Sequence, residues 1–136
     1  MKHERLILAD TSAWIASFQS EGYASLKEKL RSALERNLLA ITGIILCELL
    51  QGAKNQTEYE SLRARLSALP YLPTPEEFWE RAGKLSFALR RKGIVVPTPD
   101  VVIAQMALDN QCSVLHCDKH FDLIARHTEL IVSSPN

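Results

Sequence analysis

Residues 112–125 read CSVLHCDKHFDLIA, and the way that stretch divides decides the fold. Its first part, CSVLHC, is a short and nearly continuous apolar run of the kind that forms a strand buried on both faces. Its second part, KHFDLIA, reads as a short helix. Asp118 stands between them, where the hydrophobic strand stops. The same switch from a brief apolar run to helical spacing recurs along the whole chain, and that alternation is the signature of an α/β domain.

Working outward, RLILAD (5–10) is a first buried strand, and TSAWIASFQ (11–19) places Trp14 and Phe18 one helical turn apart. Leu26, Leu30, Ala33 and Leu34 line one face of a second helix, from near Gly22 to about Asn37. LLAIT (38–42) is a second strand. GIILCELLQG (43–52) follows as a nearly all-apolar helix closed by Gly52, and TEYESLRARLSAL (57–69) as a more polar one stopped by Pro70. PYLPTP (70–75) can hold at most a brief edge strand, because its prolines cannot donate to a ladder. Phe78, Ala82, Leu85 and Leu89 then mark the buried face of a helix, with Glu76 and Glu77 at its positive end and Arg90, Arg91 and Lys92 at its negative end. Beyond the turn GIVVPTPD (93–100), Thr98 is expected as N-cap, with Pro99 and Asp100 as the first two residues of the helix VVIAQMALDN. ELIVS (129–133) is a last strand. With no repeat, linker or low-complexity tract, residues 1–136 are expected to form one domain: a short, mostly parallel sheet of four to five strands flanked by helices.

Composition sets bounds but decides little. Hydrophobic residues make up 46% and charged residues 24% of the 136 positions, the balance of a globular protein. Sixteen basic residues meet sixteen acidic ones, so no large positive field advertises nucleic acid. The start, MKHERLILAD, is neither a signal peptide nor a membrane span, since its apolar stretch is cut at once by Asp10; a cytoplasmic protein is expected. Cys47, Cys112 and Cys117 suit free thiols in a reducing compartment, and Cys47 is expected in the core. No glycine-rich phosphate loop is present.

The acidic residues carry the chemistry. Asp10 and Asp118 each follow directly on a buried strand, and in open α/β sheets ligands bind in the crevice at the carboxyl ends of the strands. Asp100 starts a helix. Glu48 is the anomaly, because a carboxylate in the apolar helix IILCELL is costly unless it meets a cation, a donor or a metal. Gln51 and Gly52 leave little bulk over it on one side. Taken singly, Asp10 and Asp118 could be helix caps, Asp100 a favourable helix-start charge, and Glu48 the partner of a buried arginine. Together they imply a metal site, because clustered carboxylates repel one another and a hard cation such as Mg²⁺ relieves this. Cys112, His116, Cys117 and His120 crowd one segment, but their spacing argues against a zinc site.

ILADTSAWI (7–15), ITGIILCELLQGA (41–53) and PTPDVVIAQMALDNQCSVLHCDKHFDLIA (97–125) together resemble the motifs of PIN-domain ribonucleases, and specifically the VapC toxins of toxin–antitoxin pairs. The resemblance spans essentially the whole chain. It implies that Asp10, Glu48, Asp100 and Asp118 are a catalytic, metal-binding quartet for Mg²⁺ or Mn²⁺. Thr11 or Ser12 would support Asp10, and Asp122 matches a position where a further acid is often found. His116 stands where many relatives carry Thr or Ser. The implied activity is endonucleolytic cleavage of transfer or ribosomal RNA, which stops translation, with a VapB-like antitoxin as the neutralising partner. Lys54, Arg90, Arg91, Lys92 and Lys119 are the candidates for attracting RNA phosphates. Relatives form dimers, so a homodimer using Trp14, Phe18, Tyr71 and Trp79 is expected. Two alternatives remain at this point. A phosphatase-like hydrolase would want a second aspartate where Ser12 stands, and a non-catalytic PIN-like RNA-binding module would be marked by a lost acid.

Overall fold

The short apolar runs bury themselves by pairing side by side, and the helices between them cover the sheet so formed. The computed structural model describes residues 4–134. Its elements run β1 (Ile7–Ala9), α1 (Thr11–Ser17), α2 (Ala24–Glu35), β2 (Leu39–Thr42), α3 (Gly43–Gln51), α4 (Gln56–Leu66), β3 (Tyr71–Leu72), α5 (Phe78–Arg91), α6 (Thr98–Asn110), β4 (Ser113–Leu115), α7 (Lys119–His127) and β5 (Ile131–Ser133). The strands lie in the order β3-β2-β1-β4-β5, and every neighbouring pair is parallel. The first strand is therefore the central one, with Ile7 opposite both Leu39 and Ser113. Chain order reverses there, β2 lying on one side of β1 and β4 on the other. Such a switch point leaves a crevice at the strands' carboxyl ends, and the residues leaving β1 and β4 line it.

Leu8, Leu39, Ile41 and Val114 from the strands pack with Leu26, Ile45, Phe78, Ile103, Phe121 and Ile124 from the helices in one core. α6 is buried along Asp100–Ala104 and again at Met106 and Ala107, because it packs against β4 and against α3, α5 and α7. That enclosure pins the residue at its entrance, Asp100. At the other edge β3 holds only two residues between Pro70 and Pro73, as the prolines require. No helix among the described residues is long and apolar enough to cross a membrane.

Three expectations need correction. The cap of α6 is Pro97, not Thr98, which places Thr98, Pro99 and Asp100 at the first three helical positions. The carbonyl of Pro97 accepts from the N–H groups of Asp100 and Val101, at 3.0 and 3.2 Å, and a proline is tolerated anywhere in a first turn, whose N–H groups lack helical partners. Cys47 is exposed rather than in the core: Ile45 and Leu49 take the buried face of α3, and a residue two positions from each points away from it. Trp14 is buried, at 7% exposure, so it belongs to the core rather than to a surface, whereas Phe18, Tyr71 and Trp79 are exposed.

Candidate metal centre

The site is assembled at two strand-to-helix junctions. At the first, the sheet ladder continues one residue past β1, where the N–H of Asp10 donates to the carbonyl of Leu115 at 3.0 Å. Asp10 then caps α1, its Oδ1 accepting from the N–H of Ala13 at 2.9 Å. The hydroxyl of Ser12 lies 2.8 Å from both carboxylate oxygens and accepts from the N–H of Cys117 at 3.0 Å. One serine therefore stitches the first junction to the second. Asp10 is 2% exposed, and burial pushes its carboxyl above the ordinary value against the opposing pull of the Ala13 N–H and the Ser12 hydroxyl.

At the second junction Asp118 caps α7, its Oδ1 accepting from the N–H of His120 at 2.9 Å. His116, only 1% exposed, shapes this turn: its Nδ1 accepts from the N–H of Asp118 at 3.1 Å. That bond leaves the ring proton on Nε2, which lies 3.3 Å from Asp122 Oδ1. The ring also packs on Phe121, centroids 5.4 Å apart. Thus His116 orients the backbone that carries Asp118, and Asp122 stands behind His116 rather than beside the other acids. Both aspartates are caps, as the simpler reading had it, and both also face the crevice region where the strands end.

Two acids arrive from helices. Glu48, half-buried on α3, accepts the hydroxyl of Thr11 at Oε1, 2.6 Å away. The expected support of Asp10 by Thr11 or Ser12 thus resolves into two separate bonds, Ser12 to Asp10 and Thr11 to Glu48. Asp100, 9% exposed, has an Oδ2 that is buried and receives no hydrogen bond. The same oxygen lies 3.2 Å from His120 Nδ1, which in turn lies 2.7 Å from Asp118 Oδ1, without the alignment of a hydrogen bond in either case.

Mutual repulsion is visible in the protonation states. Burial first, then the adjoining Asp118 carboxylate and the charges of Asp10 and Glu48, push Asp100 up to about 8. Asp118 goes the other way: burial opposes its ionisation, but the neighbouring Asp100 carboxyl, the His120 backbone N–H and the His120 side chain together hold it below the ordinary carboxylate range. The two carboxyls are thus driven apart, Asp100 toward its neutral form and Asp118 toward its charged one. Four carboxylates, one of them with an orphaned buried oxygen, are a donor set suited to a divalent cation. One ligand atom each from Asp100, Asp118 and His120 lies within 4.8 Å of the others.

Of the four cysteines and histidines in the segment 112–120, only His120 joins a group able to hold a metal among the described residues. The signal in the sequence was its place two residues after a capping aspartate, where side chain and cap share the helix entrance. The basic candidates divide. Lys119 follows Asp118 and is exposed, and Lys54 lines, with Glu48, Ile15, Phe18, Leu62 and Arg65, a cleft of about 710 Å³ between α1, α3 and α4. Arg90, Arg91 and Lys92 end α5, exposed, with the Arg91 guanidinium 5.9 Å from the Phe87 ring centre.

Known proteins share both sequence and architecture. Ribonuclease VapC21 of Mycobacterium tuberculosis is 35% identical over 107 residues, covering 76% of this chain and 78% of its own. Ribonuclease VapC11 of the same species is 32% identical over 132 residues, 95% and 98% of the two chains. The DNA-bound VapBC complex of Salmonella typhimurium contains a chain that superposes with a TM-score of 0.76 at 22% identity, covering 98% of this chain and all of that one. The PIN domain family itself matches residues 7–127, a span that takes in both junctions, Glu48 and Asp100. On these grounds the chain belongs to the PIN-domain family, among its VapC members.

Proposed function

We propose that this protein acts, as a single PIN domain, as a metal-dependent endoribonuclease toxin in which Asp10, Glu48, Asp100 and Asp118 hold Mg²⁺ or Mn²⁺. The observation that carries this reading is the buried, donorless Oδ2 of Asp100 beside three further carboxylates. When bound, a hard divalent cation supplies Lewis-acid activation of water and neutralises charge on the phosphodiester. The chain's own residues supply the positioning. Ser12 and the Ala13 N–H fix Asp10, Thr11 fixes Glu48, and His116 fixes the turn of Asp118. No protein nucleophile is called for: Cys47 faces solvent, and burial pushes the Cys117 thiol up, away from thiolate. Lys54 and Lys119 flank the acids and suit RNA phosphates.

Transfer or ribosomal RNA is the substrate class we favour, with arrested translation as the outcome; the relatives named as ribonucleases support RNA cleavage as the activity. The cleft beside Glu48 has apolar walls, Ile15, Phe18 and Leu62, and an acidic end. It suits a VapB-like antitoxin tail that folds on binding and offers an arginine to the carboxylates. Exposed Phe18, Tyr71, Trp79 and Phe87 support a homodimer. The test is cleavage of a fluorescent RNA by the pure protein. Excess EDTA should abolish it and added Mg²⁺ or Mn²⁺ restore it, and undiminished cleavage in EDTA overturns the metal mechanism. In cells, the chain alone should slow growth, its operon partner should relieve the effect, and Asp10→Ala should be harmless; an equally toxic Asp10→Ala overturns the toxin reading.

A further inference from the structure

We propose that His120 is itself a metal ligand, so that an imidazole nitrogen joins the carboxylates and tilts the centre from Mg²⁺ toward Mn²⁺. The inference rests on the metal reading above. His120 Nδ1 lies 2.7 Å from Asp118 Oδ1 and 3.2 Å from Asp100 Oδ2. Donors held at about 2.1 Å on adjacent corners of an octahedron stand roughly 3 Å apart. Both His120 distances thus suit donors that share one ion, neither contact has the alignment of a hydrogen bond, and the three residues each offer a ligand atom within 4.8 Å of the others.

Burial provides the second, independent observation. His120 Nδ1 and Asp100 Oδ2 are both out of solvent and without partners, and Asp100 as a whole is nine-tenths buried. Orphaned buried polar atoms are costly and rare, and a cation between them satisfies both at once. The backbone presets the nitrogen. His120 sits in the first turn of α7, and its own N–H donates to the carboxylate it would share the ion with. His116, by contrast, has its Nδ1 occupied by the Asp118 N–H.

Ligand type then sets the preference. Mg²⁺ is served by carboxylate, carbonyl and water, whereas imidazole suits first-row transition ions. A carboxylate-only centre carries no such bias.

The experiment uses the full chain loaded with Mn²⁺ and electron spin-echo envelope modulation. Direct imidazole ligation should give ¹⁴N modulation that becomes the ¹⁵N pattern when only histidines are ¹⁵N-labelled, and His120→Asn should remove it. By calorimetry, Mn²⁺ affinity should fall by about tenfold or more in His120→Asn, while Mg²⁺ affinity changes by less than about threefold. Mn²⁺ bound by the parent protein without histidine modulation overturns the His120 assignment alone, and that measurement stands even if the variant misfolds. A parent protein that binds neither ion overturns the metal reading as well.

Discussion

The junctions β1–α1 and β4–α7 use one device, an aspartate that follows a parallel strand and caps the next helix, yet the two aspartates have different lives. Asp10 is sealed in, with the Ser12 hydroxyl and the Ala13 N–H engaging its oxygens. Asp118 is about a quarter exposed, and its contacts are the His116 ring at its backbone N–H and the His120 N–H at its carboxylate. The contrast teaches that one acidic crevice can have a tightly fixed wall and a less constrained one. Asp10 is anchored by hydrogen bonds within its own junction, whereas the Asp100–Asp118–His120 side includes two buried polar atoms, Asp100 Oδ2 and His120 Nδ1, without hydrogen-bond partners.

The hardest test of that division is function. Asp10→Asn and Asp118→Asn should each lower RNA cleavage by more than about 100-fold, since groups merely supporting a metal ligand already contribute about 10–100-fold. Retention of cleavage by either variant in a fluorescent-RNA assay breaks the symmetry claimed for the chemistry. Stability should separate the two walls. Ser12→Ala leaves the Cys117 N–H unpaired and releases Asp10, so a loss of about 2 kcal/mol is expected in urea titrations, with Asp10→Ala similar and Asp118→Ala nearer about 1 kcal/mol. An equal loss at both aspartates would show that burial does not distinguish them.

A smaller effect comes from charge. Asp100 is raised to about 8 in the fold, against an ordinary carboxylate value near 4 in the unfolded chain. Between those values the native state binds the extra proton, so metal-free stability from this group is fullest below about pH 4 and is lost as pH rises through about 8. Asp100→Asn should remove that decline, leaving the protein in EDTA as stable at pH 8 as the parent or more so, while eliminating cleavage. A large drop in its melting temperature would instead make Asp100 a structural helix-start residue. Smallest of all, Trp79→Ala, on the exposed side of α5, should change monomer stability by less than about 0.5 kcal/mol. Its effect belongs in light scattering, where the parent should be a dimer at micromolar concentration and the variant should dissociate.

Much of this was legible before any coordinates, for a physical reason. Period-switching between short apolar runs and helical spacing marks each strand and helix, and carboxylates at strand ends or in an apolar helix stand out against that pattern. What was not legible depended on facing. Cys47 has the residue type of a core position but lies on the wrong side of α3. Trp14 and Phe18 share a spacing, yet one is buried and the other exposed. The cap of α6 shifted by one because two prolines flank Thr98 and either suits the first turn. His120 was read beside the cysteines next to it in sequence, whereas its neighbour in space, Asp100, comes from another helix. Nor could residue type alone divide the labour of Thr11 and Ser12, whose hydroxyls serve different acids.

The central place of β1 has a bearing on how the protein is made. Ile7 pairs with Ser113, so the second junction is translated long after the first. At ordinary elongation speeds of about 5–20 residues per second, roughly 5–20 s separate the two. Until Asp118 is made, a ribosome carries first Asp10 and then Glu48 without it, and the two walls of the crevice cannot meet. Nascent chains stalled before residue 113 should therefore leave RNA intact even where the finished protein cuts it, because the topology assembles the site last.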